Sequence, residues 1–181
     1  MSRSSVTYHI ADIDSFKEKL VAWSSQFQYY AVLKGQTENT LGMYLEKNML
    51  VGADSLSVVT TKNKSLEQLK EYHNEKKDWL FGAFSYDLKN EIEDLASENI
   101  DKHHFPNLVF FQPKWIFEIV GNDVLFHFPS YLDRSEMRLV FKEIMTRDLN
   151  VSFKNQDVDL KQRISKEQYV QNSDKIIHHI K

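Results

Sequence analysis

A chain of 181 residues with 41% hydrophobic and 13% aromatic content is long enough to bury a core, and only five Gly and three Pro place it outside the disordered and fibrous classes. Lys and Arg number 23 against 26 Asp and Glu, a net charge of −3 with no basic cluster, which argues against a nucleic-acid partner. The absence of cysteine excludes disulfides, thiolate metal sites and a cysteine nucleophile, while "MSRSSVTYHI" lacks a signal-peptide core and no apolar run approaches the ~18 residues of a membrane helix, so a cytoplasmic protein with no membrane partner is expected.

Val6, Tyr8 and Ile10 alternate as in a short edge strand, and Asp12 or Asp14 is placed to cap a helix carrying Phe16, Leu20 and Trp23 on one face. "YYAVLK" (29–34) and "NMLVGAD" (48–54) read as strands joined by a polar stretch, and "LSVVTT" (56–61) reads as a third strand directly after them. Ser65 with Gln68 has the form of a capping box, opening a helix with Leu66, Leu69 and Tyr72 or His73 on one side. Residues 79–85 read as the central strand. It stops abruptly at Ser85-Tyr86-Asp87, where Asp87 is placed as an ordinary helix cap, and Leu88, Ile92 and Leu95 then recur once per turn as in a short surface helix.

"NLVFFQP" (107–113), "KWIFEIV" (114–120) and "DVLFHF" (123–128) follow as strands, with Gly121-Asn122 as the hairpin turn. A helix over about 134–149 turns Met137, Val140, Phe141 and Ile144 inward. Hairpin-paired strands with irregularly placed helices predict an α+β fold, a mostly antiparallel sheet with flanking helices. Residues 1–150 are expected to form one domain and 151–164 a linker, since the period is lost from Asn150. A second capping box, Ser165 with Gln168, then heads a helix whose stripe is Tyr169, Ser173, Ile176, Ile177 and Ile180. Nothing terminates that helix before Lys181, so 165–181 are expected to open a further, truncated domain.

Motif chemistry is sparse. His103-His104 and His178-His179 are adjacent pairs, not the i, i+4 spacing of a metal pair, and Glu91, Glu93 and Asp94 read as a solvated face. Gly52 and Gly82 sit inside strands without the context of a phosphate loop and mark bulges or close backbone approach. By this reading the chain carries no catalytic residue and no metal site.

One stretch is more specific. "WLFGAFSYDLKNEIEDL" (79–95) followed by "HFPNLVFFQPKWIFEI" (104–119) resembles the amino-terminal region of the chorismate-utilising enzymes, the large subunits of aminodeoxychorismate synthase and anthranilate synthase. The resemblance rests on Gly82, on Phe84-Ser85-Tyr86-Asp87, on the acidic stretch from Glu91 to Leu95 and on Pro106-Asn107-Leu108, and the helix from Ser165 looks like the one that opens the catalytic domain there. It implies an anthranilate synthase component I-like amino-terminal domain over 1–150. It also implies a full-length enzyme that aminates chorismate, with magnesium holding the substrate carboxylates and ammonia supplied by a glutamine amidotransferase partner. The catalytic residues of that family lie in the carboxy-terminal domain, so the fragment alone is expected to be inactive and to need no cofactor.

The family also keeps a tryptophan pocket, whose strand-end signature of Leu-Leu-Glu-Ser type corresponds here to Val32-Leu33-Lys34-Gly35. The resemblance thus names Leu33, Lys34, Gly35, Asn48, Ser85, Tyr86 and Asp87 as effector-pocket residues. Lys34 and Gly35 remove an acid and a hydroxyl from that signature, which tilts the expectation to aminodeoxychorismate synthase and folate precursor synthesis. The alternatives are anthranilate synthase component I, in tryptophan synthesis, and a stand-alone amino-acid-binding or interaction module.

Overall fold

The computed structural model describes residues 1–35, 49–93, 103–149 and 161–180. The chain divides into two compact units, Met1–Leu149 and Asn150–Lys181. In chain order the first holds β1 (Arg3–His9), α1 (Ile13–Ser24), β2 (Tyr30–Lys34), β3 (Met49–Thr61), α2 (Ser65–Lys76), β4 (Phe81–Phe84), a 3-10 turn (Tyr86–Leu88), α3 (Lys89–Ile92), β5 (Leu108–Val120), β6 (Asp123–Pro129) and α4 (Arg134–Met145). The second holds α5 (Lys166–Ile180).

Among the described residues the fold is α+β, with a six-stranded sheet whose pairings are all antiparallel, in the order β1-β6-β5-β3-β2. β4 lies off this path and pairs with the first residues of β5, Phe81 opposite Phe111 and Phe84 opposite Leu108. The expected central strand is therefore a four-residue strand beside β5, and the centre belongs to the 13-residue strands β3 and β5. One edge of β5 is shared. β4 takes residues 108–111 and β6 takes 116–120, leaving a fork at Gln112 to Trp115.

Each long strand was expected as two. On β3 the apparent break is a bulge: Asp54 adopts φ 60°, its Oδ1 accepts from Ser55 N at 2.8 Å, and the register shifts between Ser55 and Ser57. Asp tolerates this left-handed conformation better than most residues. On β5 the apparent break is Pro113, opposite Ser55 beside that bulge. Pro lacks a donor and is excluded from regular ladders, but at this position the ladder is already irregular.

Alternation sorts the sheet into two faces. Trp115, Phe117, Ile119, Val124, Phe126, Met49, Val51 and Ala53 share a core with Phe16, Leu20 and Trp23 of α1 and Met137 and Ile144 of α4, as the helical spacing predicted. The two helices are also joined at 3.1 Å by Trp23 Nε1 donating to Glu143 Oε2. The paired residues Leu33, Leu50, Glu118 and Leu125 occupy the opposite face, with Ile116 and His127 beside them. Gly121, at φ 57°, makes the β5–β6 turn.

In the second unit Ser165 Oγ accepts from Gln168 N at 3.2 Å, a true N-cap. No residue of α5 is buried, and Tyr169, Val170, Ile176, Ile177 and Ile180 are exposed. No helix among the described residues is long and apolar enough to cross a membrane.

Candidate functional site

The junction at Ser85 is built by its neighbours rather than by a cap. Ser85 N donates to Asn107 O at 2.9 Å, ending the β4 pairing, and Leu88 N returns to Ser85 O at 3.3 Å while the Leu88 side chain is buried. Those two bonds and one buried side chain turn the strand into a 3-10 turn and then α3. Asp87 caps nothing: neither the turn nor α3 has a side-chain cap, and α3 covers only Lys89–Ile92. Leu95 and Asp94 lie outside the described residues. Tyr86 is 82% exposed, with Lys89 Nζ 5.2 Å from its ring centroid, whereas Ser85 Oγ is buried with no hydrogen-bond partner among the described residues.

Glu91, expected on a solvated face, is the organising group of this junction. Its carboxylate accepts from Ser65 N at 2.7 Å, from Ser65 Oγ at 2.6 Å and from Asn107 Nδ2 at 2.5 Å. Asn107 in turn donates its backbone N–H to Thr61 O and its side chain to Lys62 O. The capping box expected at Ser65 is absent for the same reason: Lys64 holds the cap position at φ 50°, Gln68 Nε2 reaches Asn63 O, and the Ser65 hydroxyl is spent on Glu91. A carboxylate at the amino end of α2 also complements the helix dipole.

Hydrogen bonds from Ser65 and Asn107 hold the Glu91 carboxyl below its ordinary range. A depressed folded-state value contributes stability that is complete above the unfolded value and lost as pH falls through the folded one. Glu91→Ala is expected to cost about 1 kcal/mol, the usual worth of an N-cap, and to flatten stability below pH ~4. Urea denaturation of both proteins at pH 7 and pH 3 measures this.

The residues named as an effector pocket do not come together. Leu33 is 57% exposed on β2, Lys34 is exposed opposite Met49, and Gly35 follows at the strand end. Through β3 this end aligns with Ile119, whereas Phe84 aligns with Leu108, so the two halves are separated by a length on the order of 35 Å along β5 at ~3.3 Å per residue. Asn48 lies outside the described residues.

One buried ion pair and one part-buried histidine–carboxylate hydrogen bond escaped the sequence reading. At the fork in β5, Arg3 Nε and Nη2 clamp Asp78 at 2.7 and 2.8 Å, Gln112 Nε2 donates to the same carboxylate at 2.7 Å, and the guanidinium also reaches the carbonyls of Pro113 and Lys114. Arg3 thus supplies donors at the stretch of β5 that neither β4 nor β6 pairs with. Burial by itself would raise the Asp78 pKa, but the donors from Arg3, Gln112 and Trp79 outweigh it and hold the carboxyl below its ordinary value. The second pair, His127 Nε2 and Glu118 Oε1 at 2.6 Å, sits across β5 and β6, with the Trp79 ring 6.0 Å from the imidazole. The only trace of either pair in the sequence is a charged residue inside or beside an apolar strand, a position that requires a partner but does not name it.

Among the described residues no group of three or more His, Asp or Glu side chains is placed to hold a metal ion. No family model matches the chain, and no curated protein matches it.

Proposed function

We propose that this chain is the amino-terminal part of the aminating subunit of an aminodeoxychorismate synthase, which in full length converts chorismate and glutamine-derived ammonia to 4-amino-4-deoxychorismate for folate synthesis. The observation that carries the reading is the Ser85 junction. Of the residues that carry the resemblance, Gly82, Ser85, Glu91 and Asn107 form, together with Leu88, one bonded unit that ends β4, starts α3 and caps α2. That gives a physical reason for these residue types to occur together in this order.

Chemistry assigns the reaction to a part of the enzyme other than this domain. Substituting the ring hydroxyl of a dianionic substrate needs a divalent cation to neutralise charge and a general acid near the leaving group. In this reading magnesium is held by carboxylates of the catalytic domain, ammonia comes from a glutamine amidotransferase subunit, and both work in the cytoplasm. Exposed Lys34 and part-buried Gly35 at the end of β2 favour this enzyme over anthranilate synthase, because a lysine opposes an amino-acid ammonium.

The 181-residue chain, given chorismate, magnesium and ammonium, is expected to consume no chorismate. The same chain extended by its catalytic domain is expected to form 4-amino-4-deoxychorismate, read by chromatography of the products. Turnover by the short chain would overturn the domain assignment, and anthranilate from the long one would overturn the choice of enzyme.

A further inference from the structure

A cleft of about 490 Å³ opens on the first unit, lined by Met1, Arg3, His73, Lys77, Asp78 and Trp79. Four of its groups are basic in type and one is acidic, and the acid is consumed, since Asp78 is clamped by Arg3 with the two side chains only 3% and 8% exposed. The carbonyl end of α2, which would otherwise repel an anion, is also covered: the Met1 amine donates to Lys76 O at 3.0 Å and Lys77 O at 3.4 Å. The remaining balance in the cleft is positive, from Lys77 and the amine, with His73 beside them.

Beside these groups stands the ring of Trp79. Trp79 is 37% exposed, while Trp23 and Trp115 are 1% and 4% exposed. Phe81 stacks with Trp79 at 6.2 Å and His127 lies 6.0 Å away, fixing the ring's orientation. Lys77 is held in a left-handed conformation at φ 46°, its N–H donating to His73 O at 2.8 Å, so Lys77 and His73 are tied together at the end of α2.

We propose that this cleft binds a small planar carboxylate, its ring lying on Trp79 and its charge meeting Lys77 and His73. The polar groups already paired are not available to a ligand, so exposed Lys77 provides the charge and exposed His73 a ring nitrogen for a hydrogen bond. The inference does not depend on the chorismate reading, and it stands or falls on binding alone.

Sodium benzoate is the test ligand. Because Trp79 is the exposed tryptophan, titration is expected to change the protein's emission saturably in the millimolar range, while benzylamine, with the same ring and the opposite charge, leaves it unchanged. Lys77→Asn keeps a residue that tolerates positive φ, and is expected to weaken benzoate about three- to fivefold with an unchanged circular dichroism spectrum. Absence of saturable binding, equal binding of benzylamine, or benzoate affinity unaltered in a folded Lys77→Asn protein would each overturn the proposal.

Discussion

Asp78→Ala is expected to lower the unfolding free energy by about 3–5 kcal/mol, because it leaves the Arg3 guanidinium buried without its counter-charge. The clamp replaces a missing strand. Between the end of the β4 pairing at Phe111 and the start of the β6 pairing at Ile116, β5 offers carbonyls of Pro113 and Lys114 that Arg3 satisfies, and Asp78 orients Arg3 to do so. Removing the acid therefore disturbs three strands together. Asp78→Asn keeps the shape and an acceptor, and is expected to lose less than the alanine.

The pH dependence has a fixed sign. Since the folded-state pKa of Asp78 lies below its ordinary value, its contribution is complete at neutral pH and disappears as pH falls through that depressed value. Guanidinium unfolding of the wild type at pH 7 and pH 3 should show a larger loss than that of the Asp78→Ala protein, which keeps the part due to Glu91 and lacks the part due to Asp78. A variant within 1 kcal/mol of wild type at pH 7 would mean that the clamp is replaceable by solvent.

Much of the fold was legible from one residue to the next. The stripe Phe16, Leu20, Trp23 and the stripe Met137, Ile144 are buried because a helix has one face, and Gly121-Asn122 turns because glycine reaches φ 57° without strain. The long strands were not legible as units, because Asp54 and Pro113 are locally strand-breaking and become acceptable only at one shared irregularity, where Pro113 faces Ser55 next to Asp54. The same limit applies to the junction. Glu91 has the local pattern of a solvated residue, and the donors it meets, Ser65 and Asn107, are 26 residues before and 16 residues after it. Periodicity reports which face a side chain takes and is silent on which distant backbone it meets there. Leu33 and Ser85 illustrate the converse. A resemblance joined them as one pocket, while the β5 register puts them at opposite ends of the sheet.

Gly82 should be less replaceable than Gly52 or Gly121. A Cβ there would meet the carbonyl oxygen of Val109 and the Cα of Phe110, both backbone atoms of the long strand that β4 pairs with. Backbone atoms of β5 cannot withdraw, because their other side is already paired with Val59 and Thr60 of β3. Gly52 provides the comparison: a Cβ there would sit 2.9 Å from the Phe81 ring, and a ring can tilt by a few tenths of an ångström. Gly82→Ala is accordingly expected to cost about 3 kcal/mol, the upper end for overpacking, and Gly52→Ala about 1 kcal/mol. The larger loss carries a second signature. Displacing β4 pulls Ser85 N from Asn107 O and loosens Asn107 from Glu91, so the Gly82→Ala protein should also lose the acid sensitivity assigned to Glu91, whereas Gly52→Ala should retain it. Denaturation midpoints at pH 7 and pH 3 for both variants test the two points together. Equal costs for the two substitutions would show that β4 moves as easily as a side chain, and that the Ser85 junction is not anchored through it.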